Sequence, residues 1–154
     1  MSRFCIERGT SYRIVSGRWV CMVDTGITPT VLVTDDDADF RGVVCEALAR
    51  GGVRTKQASD GDEALRVIER GSIHMVLLDV HMPRVTGLDV MRELCKRPNA
   101  MPYVLMSALM DEAIEREAAR MRAYKILRKP VRLAQLREIV RGGLVDTYGW
   151  HPPE

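Results

Sequence analysis

An α/β fold, a five-stranded parallel sheet doubly wound with helices on both faces, is what this sequence predicts, and three observations predict it. From Thr30 to about Gly143, short apolar runs alternate five times with amphipathic stretches. Strands alternating with helices imply a parallel sheet covered on both sides. The runs are nearly continuous in Val, Leu, Ile and Met, as in strands buried on both faces. The third observation is that the notable polar residues stand at the carboxyl ends of the runs, where open sheets of this kind bind ligands.

Taken in order, Thr30-Val31-Leu32-Val33-Thr34 reads as the first strand and ends in Asp35-Asp36-Asp37. A helix follows, with Phe40, Val43, Val44, Ala47 and Leu48 on one face and Gly51-Gly52 as its stop. Residues 53–58 form the second strand. Ser59 to Glu63 read as a turn and helix start, with Ala64, Leu65 and Ile68 facing inward and Gly71 closing the helix. Residues 74–78 are the third and most apolar strand, ending at Asp79. The loop from Val80 to Gly87 enters a helix carrying Leu88, Met91 and Leu94, expected to stop near Pro98. Residues 102–106 give the fourth strand, ending at Ser107, and a charged helix runs from about Asp111 to Met121. Residues 124–128 are the fifth strand, followed by Lys129-Pro130. The last helix carries Leu133, Leu136 and Val140, and Gly142-Gly143 is expected to end it.

Composition narrows the function. A chain of 154 residues suits one domain. With 46% hydrophobic residues it has enough apolar surface for a core. Lys plus Arg is 23 against 21 Asp plus Glu, a net charge of +2, so no strong field steers nucleic acid or an anionic membrane. No apolar run is long enough to span a bilayer, and no signal peptide is expected. Cys5, Cys21, Cys45 and Cys95 contain no CxxC pair, and His74, His81 and His151 lack metal-site spacing. Reduced thiols in the cytoplasm are the expectation.

The strand-end residues suggest a chemistry. Carboxylates converging at one edge repel each other, and a divalent cation relieves that repulsion. All-oxygen ligands favour a hard ion, and Mg²⁺ suits a shallow site of carboxylates, waters and a phosphate. A carboxylate is also a nucleophile toward phosphorus, giving an aspartyl-phosphate. A hydroxyl at Ser107 and an ammonium at Lys129 would each hold a further equatorial oxygen.

Four segments carry a family resemblance: Val31-Leu32-Val33-Thr34-Asp35-Asp36-Asp37; Leu77-Leu78-Asp79-Val80-His81-Met82-Pro83 with Gly87; Met106-Ser107-Ala108; and Leu127-Arg128-Lys129-Pro130. Each is weak alone. In this order, each at a strand end, they are specific. The chain resembles the response regulator receiver domains of two-component signalling, of the stand-alone type, over residues 30 to 143. That resemblance implies a flavodoxin-like sheet of order 2-1-3-4-5. It implies phosphorylation of Asp79 by a histidine kinase or histidine phosphotransfer protein, so a phosphoacceptor signalling protein rather than an enzyme. Asp35, Asp36, Asp79 and the main-chain carbonyl of His81 would bind Mg²⁺. Ser107 and Lys129 would sense the phosphoryl group, and Lys129-Pro130 would be cis. Output would pass to a downstream protein partner or along the phosphorelay, with a homodimer possible and no nucleic acid or membrane partner.

Two positions bear on readout and lifetime. The family usually has Tyr or Phe three residues before the lysine, and here that residue is Ile126. Tyr124 is nearby, with its orientation open. Leu109, two beyond the hydroxyl, cannot position water, so a long-lived phosphoryl group is expected. Asp37 reads most simply as a helix cap, and the charges from Asp111 to Arg120 as an exposed face that also docks partners in the family.

Outside the core, residues 1–29 form an extension, either a hairpin around Ser16-Gly17 or a flexible leader. Residues 144–154 form a tail with Trp150 and Pro152-Pro153, too short for an output domain. Three other readings stay open. A haloacid-dehalogenase-like phosphatase would use Asp35-Asp36-Asp37 as its Asp-x-Asp, although the Gly-Thr and cap insertion are missing. A receiver-like scaffold would bind partners unphosphorylated. A flavodoxin-like redox protein would need amides and hydroxyls where this chain has carboxylates.

Overall fold

The computed structural model describes residues 28–97 and 101–153 in full, and residues 5–7, 10–15 and 18–22 as backbone strands. Those three, β1 (Cys5–Glu7), β2 (Thr10–Val15) and β3 (Arg18–Met22), make an antiparallel sheet of order β1-β2-β3. Val15 pairs with Arg18, as hairpin partners do. The turn at Ser16-Gly17 lies outside the described residues.

The second sheet has five parallel strands: β4 (Thr30–Thr34), β5 (Arg54–Ala58), β6 (Met75–Asp79), β7 (Tyr103–Ser107) and β8 (Lys125–Arg128). Their order is β5-β4-β6-β7-β8, the 2-1-3-4-5 order expected. Every pairing is parallel, so each connection crosses a face, and five helices cover the two faces. They are α1 (Ala38–Ala49), α2 (Gly61–Glu69), α3 (Gly87–Cys95), α4 (Glu112–Arg120) and α5 (Leu133–Tyr148).

Strand residues alternate between two cores. Val31, Val33, Met75, Leu77, Val104, Met106 and Leu127 meet α1 and α5 through Val44, Leu48, Leu136 and Val140. Leu32, Val76, Leu78 and Leu105 meet α2, α3 and α4 through Ala64, Ile68, Val90, Met91 and Ile114. The three central strands β4, β6 and β7 are buried on both faces and read as apolar runs, whereas the edge strands β5 and β8 carry exposed polar residues. Four of the five helices begin on capping side chains, α5 being the exception. Asp37, Asp60 and Asp111 accept from first-turn amides, and Thr86 forms a capping box with Asp89.

One boundary differs from the sequence reading. Gly142-Gly143 does not end the last helix, which runs on to Tyr148 and closes at Gly149 with φ +67°. The two glycines are packing positions. A Cβ on Gly142 would come within 2.9 Å of the Tyr124 hydroxyl, and one on Gly143 within 2.9 Å of Met75 Cε. They let α5 lie close to the sheet, and Leu144 beyond them is fully buried. Burying a leucine is worth roughly 1.5–3 kcal/mol, so the extra turn belongs to the core. The expected stop near Pro98 lies outside the described residues; α3 ends at Cys95 with Lys96 as its cap. Among the described residues, no helix is long and apolar enough to cross a membrane.

The added turn brings Tyr148 to His74. The Tyr148 hydroxyl donates to the His74 carbonyl at 2.9 Å, and the rings meet edge to face. His74 Nδ1 accepts the Thr30 amide at 3.0 Å, which only an unprotonated nitrogen can do. Burial pushes the imidazole below its ordinary 6.5. A base depressed in the folded state costs no stability above its unfolded pKa. As pH falls through about 6.5 the unfolded chain takes up the proton first, and stability declines. Urea unfolding at pH 7.5 and pH 5.5 should therefore show a larger drop for the wild type than for His74→Asn; equal drops would refute the assignment.

Candidate functional site

The site forms where four strands end. The sheet's hydrogen bonding runs one residue past the strands. The Asp35 amide donates to Ala58 O at 3.2 Å, the Val80 amide to Met106 O at 2.9 Å, and the Lys129 amide to Ser107 O at 2.8 Å. The backbone that carries the polar side chains is thus fixed by the same ladder as the core.

Asp35 and Asp79 are buried and Asp36 is exposed, yet each offers an oxygen within 4.8 Å of the others. Lys129 Nζ lies 2.5 Å from Asp35 Oδ2 and 3.5 Å from Asp79 Oδ2. It also sits 4.7 Å from the centre of the Phe40 ring, a cation–π contact. At roughly 4 Å and an effective dielectric of about 20, two like charges repel by about 4 kcal/mol. Three ionised carboxylates against one ammonium leave two negative charges, the charge a divalent cation neutralises. The donor set is oxygen only, which fits a hard ion such as Mg²⁺.

Protonation equilibria reflect this crowding. Burial, then the Asp35 charge, push Asp79 above its ordinary 3.8. Lys129 opposes the shift, as does the His81 amide, which donates to Asp79 Oδ1 at 3.3 Å. Burial alone would lower Lys129, but the hydrogen bond to Asp35 and the charges of Asp79 and Asp35 hold it above its ordinary 10.5.

Ser107 and His81 meet on one carbonyl. Ser107 is fully buried, and its hydroxyl donates to Leu109 O at 2.9 Å while accepting the Leu109 amide at 3.2 Å. His81 Nε2 lies 3.3 Å from the same oxygen. The His81 imidazole is therefore engaged away from the carboxylates. The Lys129-Pro130 peptide is cis. Ile126 packs on the α2–α3–α4 side, whereas Tyr124 packs on the α1–α5 side and donates to Asp146 at 2.9 Å. The Tyr124 ring therefore does not take the place of Ile126.

Sequence reading missed two supporting residues. Phe40 was read as a core position, whereas its ring also covers the Lys129 ammonium. Arg41 donates to the Asp35 carbonyl at 2.6 Å, fixing the turn after β4, and nothing in the sequence marked it. Asp37 is the α1 cap, accepting from the Asp39 and Phe40 amides.

The loop after β6 leaves no space at Gly87. A Cβ there would come within 2.3 Å of the Asp79 carbonyl oxygen. Nearby, Arg84 holds φ +65°, a region that costs a side-chain-bearing residue roughly 1–2 kcal/mol.

This constellation has known counterparts. The family model for the response regulator receiver domain matches residues 31–141. The chain belongs to that family. Response regulator RR06 of Streptococcus pneumoniae is 31% identical over 69% of this chain and 48% of its own length. Transcriptional regulatory protein PrrA of Mycobacterium tuberculosis is 36% identical over 74% of this chain and 49% of its own. The chain thus spans about half the length of these relatives. The probable chemotaxis protein CheY of Rhizobium etli is 25% identical over 71% of this chain and 88% of its own. Among solved structures, the receiver domain of Francisella response regulator 1452 matches 78% of this chain and 99% of its own, with TM-score 0.73 and 28% identity. A CheY-like receiver from Methanospirillum hungatei, at 21% identity and TM-score 0.76, shows the same fold. Receiver domains are signalling modules that generally bind Mg²⁺ at an acidic pocket and partner with histidine kinases or phosphotransfer proteins.

Because the atom facing Gly87 is backbone, Gly87→Ala should destabilise the fold by about 1–3 kcal/mol or more. Urea unfolding measures this, and an unchanged midpoint would show that the loop has room.

Proposed function

We propose that this receiver is a phosphoacceptor response regulator, taking a phosphoryl group on Asp79 with Mg²⁺ and signalling through protein–protein contacts. The convergence of Asp35, Asp36, Asp79 and Lys129 at one sheet edge carries this reading. An Asp79 carboxylate oxygen attacks phosphorus in a donor phosphohistidine. A P–O bond forms, the P–N bond breaks, and imidazole leaves. Asp35, Asp36, Asp79 and the His81 main-chain carbonyl would hold Mg²⁺, which supplies neutralising charge to a phosphoryl oxygen. Lys129 would exchange part of its Asp35 contact for a second oxygen. Ser107 would release Leu109 O to meet a third.

Readout follows from that last exchange. With Ile126 at the usual aromatic position, the movable group is the Ser107 hydroxyl. Its departure from Leu109 O alters the carbonyl that His81 also contacts. The β7–α4 loop is then the element that responds. The donor is a histidine kinase or histidine phosphotransfer protein, and the recipient of the signal is a protein partner. A homodimer fits the same surface logic. The sequence reading puts the receiver at 30–143; because α5 runs on to Tyr148, we assign residues 30–148 to the receiver, 1–29 to an N-terminal extension and 149–154 to a tail, in a cytoplasmic protein that turns over no separate substrate.

Incubation with acetyl phosphate and Mg²⁺, read by intact mass, should give one phosphoryl adduct. It should vanish in Asp79→Asn and without Mg²⁺. No adduct, with metal binding confirmed, would favour the unphosphorylated scaffold, and turnover of a phosphate ester would favour the phosphatase. Leu109 is 72% exposed and carries no polar atom to orient water. The adduct should therefore decay slowly; loss within seconds would overturn this.

A further inference from the structure

A second feature lies at the opposite edge of the sheet, away from Asp79. A cleft of about 290 Å³ opens between the end of α1, the middle of α5 and the tail beyond Gly149. It is lined by Leu48 and Gly51 at the α1 end, Arg137 and Arg141 of α5, and Trp150 and Pro153 of the tail. Pro153 is seated on Gly52, where a Cβ would come within 3.2 Å of its ring, so the tail is packed in place. Trp150 is half-buried against the α1–α5 core, and its amide donates to Leu144 O at 3.4 Å.

The charges in this cleft are not balanced. Arg50 is paired with Glu46 at 2.5 Å. Arg137 and Arg141 form no ion pair among the described residues, although they stand one helical turn apart. Like charges at that spacing repel along the helix, and an anion between them would relieve the repulsion. Glu138 also lines the cleft and offsets one of the two positive charges, leaving a net preference for an anion. Two guanidinium forks suit the oxygens of a phosphate. The indole offers a flat apolar surface for a ring. The volume is at the lower end for ligand pockets, about 300 Å³, which favours a mononucleotide over anything larger.

We propose that this cleft binds a small organic anion of the nucleoside monophosphate class, phosphate on Arg137 and Arg141 and ring against Trp150. The site is independent of phosphorylation chemistry at Asp79.

Isothermal titration of the full chain with AMP and GMP tests this, with adenosine and inorganic phosphate as controls. One site should be seen, weaker by about tenfold or more in Arg137→Gln/Arg141→Gln, since both solvent-exposed charge-assisted contacts to the phosphate are lost. Trp150→Ala should weaken AMP while leaving inorganic phosphate unchanged. The arginine variant is at the surface, so its melting temperature and its labelling by acetyl phosphate should match the wild type. Absence of nucleotide binding by the folded wild type would overturn the proposal. So would binding that survives the double variant, or inorganic phosphate binding as tightly as AMP.

Discussion

Lys129 stands between two buried carboxylates, and the acceptor edge depends on that one cation. Among the described residues it is the one side chain that forms an ion pair with either the Asp35 or the Asp79 carboxylate. Its position comes from the β7–β8 ladder, which continues through the Lys129 amide to Ser107 O. Phe40 then shields the ammonium from water on the α1 side, which strengthens its interaction with the acids. The negative charge left over makes the site receptive to a divalent cation and to the phosphoryl transfer proposed for it.

Rigidity around the site comes from the core rather than from the site itself. β4 and β6 are completely buried, and their last residues are held by neighbouring strands. Gly87 lets the acceptor loop fold back onto the Asp79 carbonyl, and Gly61 makes room for Val85 in the same loop. Against that frame, the parts able to change partners are few. In the proposed reaction they are the Lys129 ammonium, the Ser107 hydroxyl, the Leu109 carbonyl and the His81 ring. Ile126, half-buried on the α2–α3–α4 side, cannot hydrogen-bond as a tyrosine would, and the readout proposed above therefore falls to the β7–α4 loop.

The C-terminal end shows how a local signal can mislead. Gly-Gly is a common helix stop, but at Gly142-Gly143 the small size of the residues lets α5 approach Tyr124 and Met75. The helix continues because Leu144 gains a buried place and Tyr148 a hydrogen bond, and these outweigh the backbone entropy of two glycines. The tail then returns across α1, forming the arginine-lined cleft.

The sequence alone determined the parallel sheet, its helices and the identities of Asp35, Asp36, Asp79, Ser107 and Lys129 as strand-end residues. Apolar runs and caps are local, and a parallel sheet places every strand end on one edge. Tertiary structure decided what depends on distance between remote segments. Phe40 over Lys129, His81 on the Leu109 carbonyl that Ser107 also holds, and the passage of α5 through its glycines past Tyr124 and Met75 are all contacts between residues whose proximity no spacing in the chain encodes. Their cause is packing, which selects side chains by the space and charge around them, and that surrounding exists only once the sheet has closed against its helices.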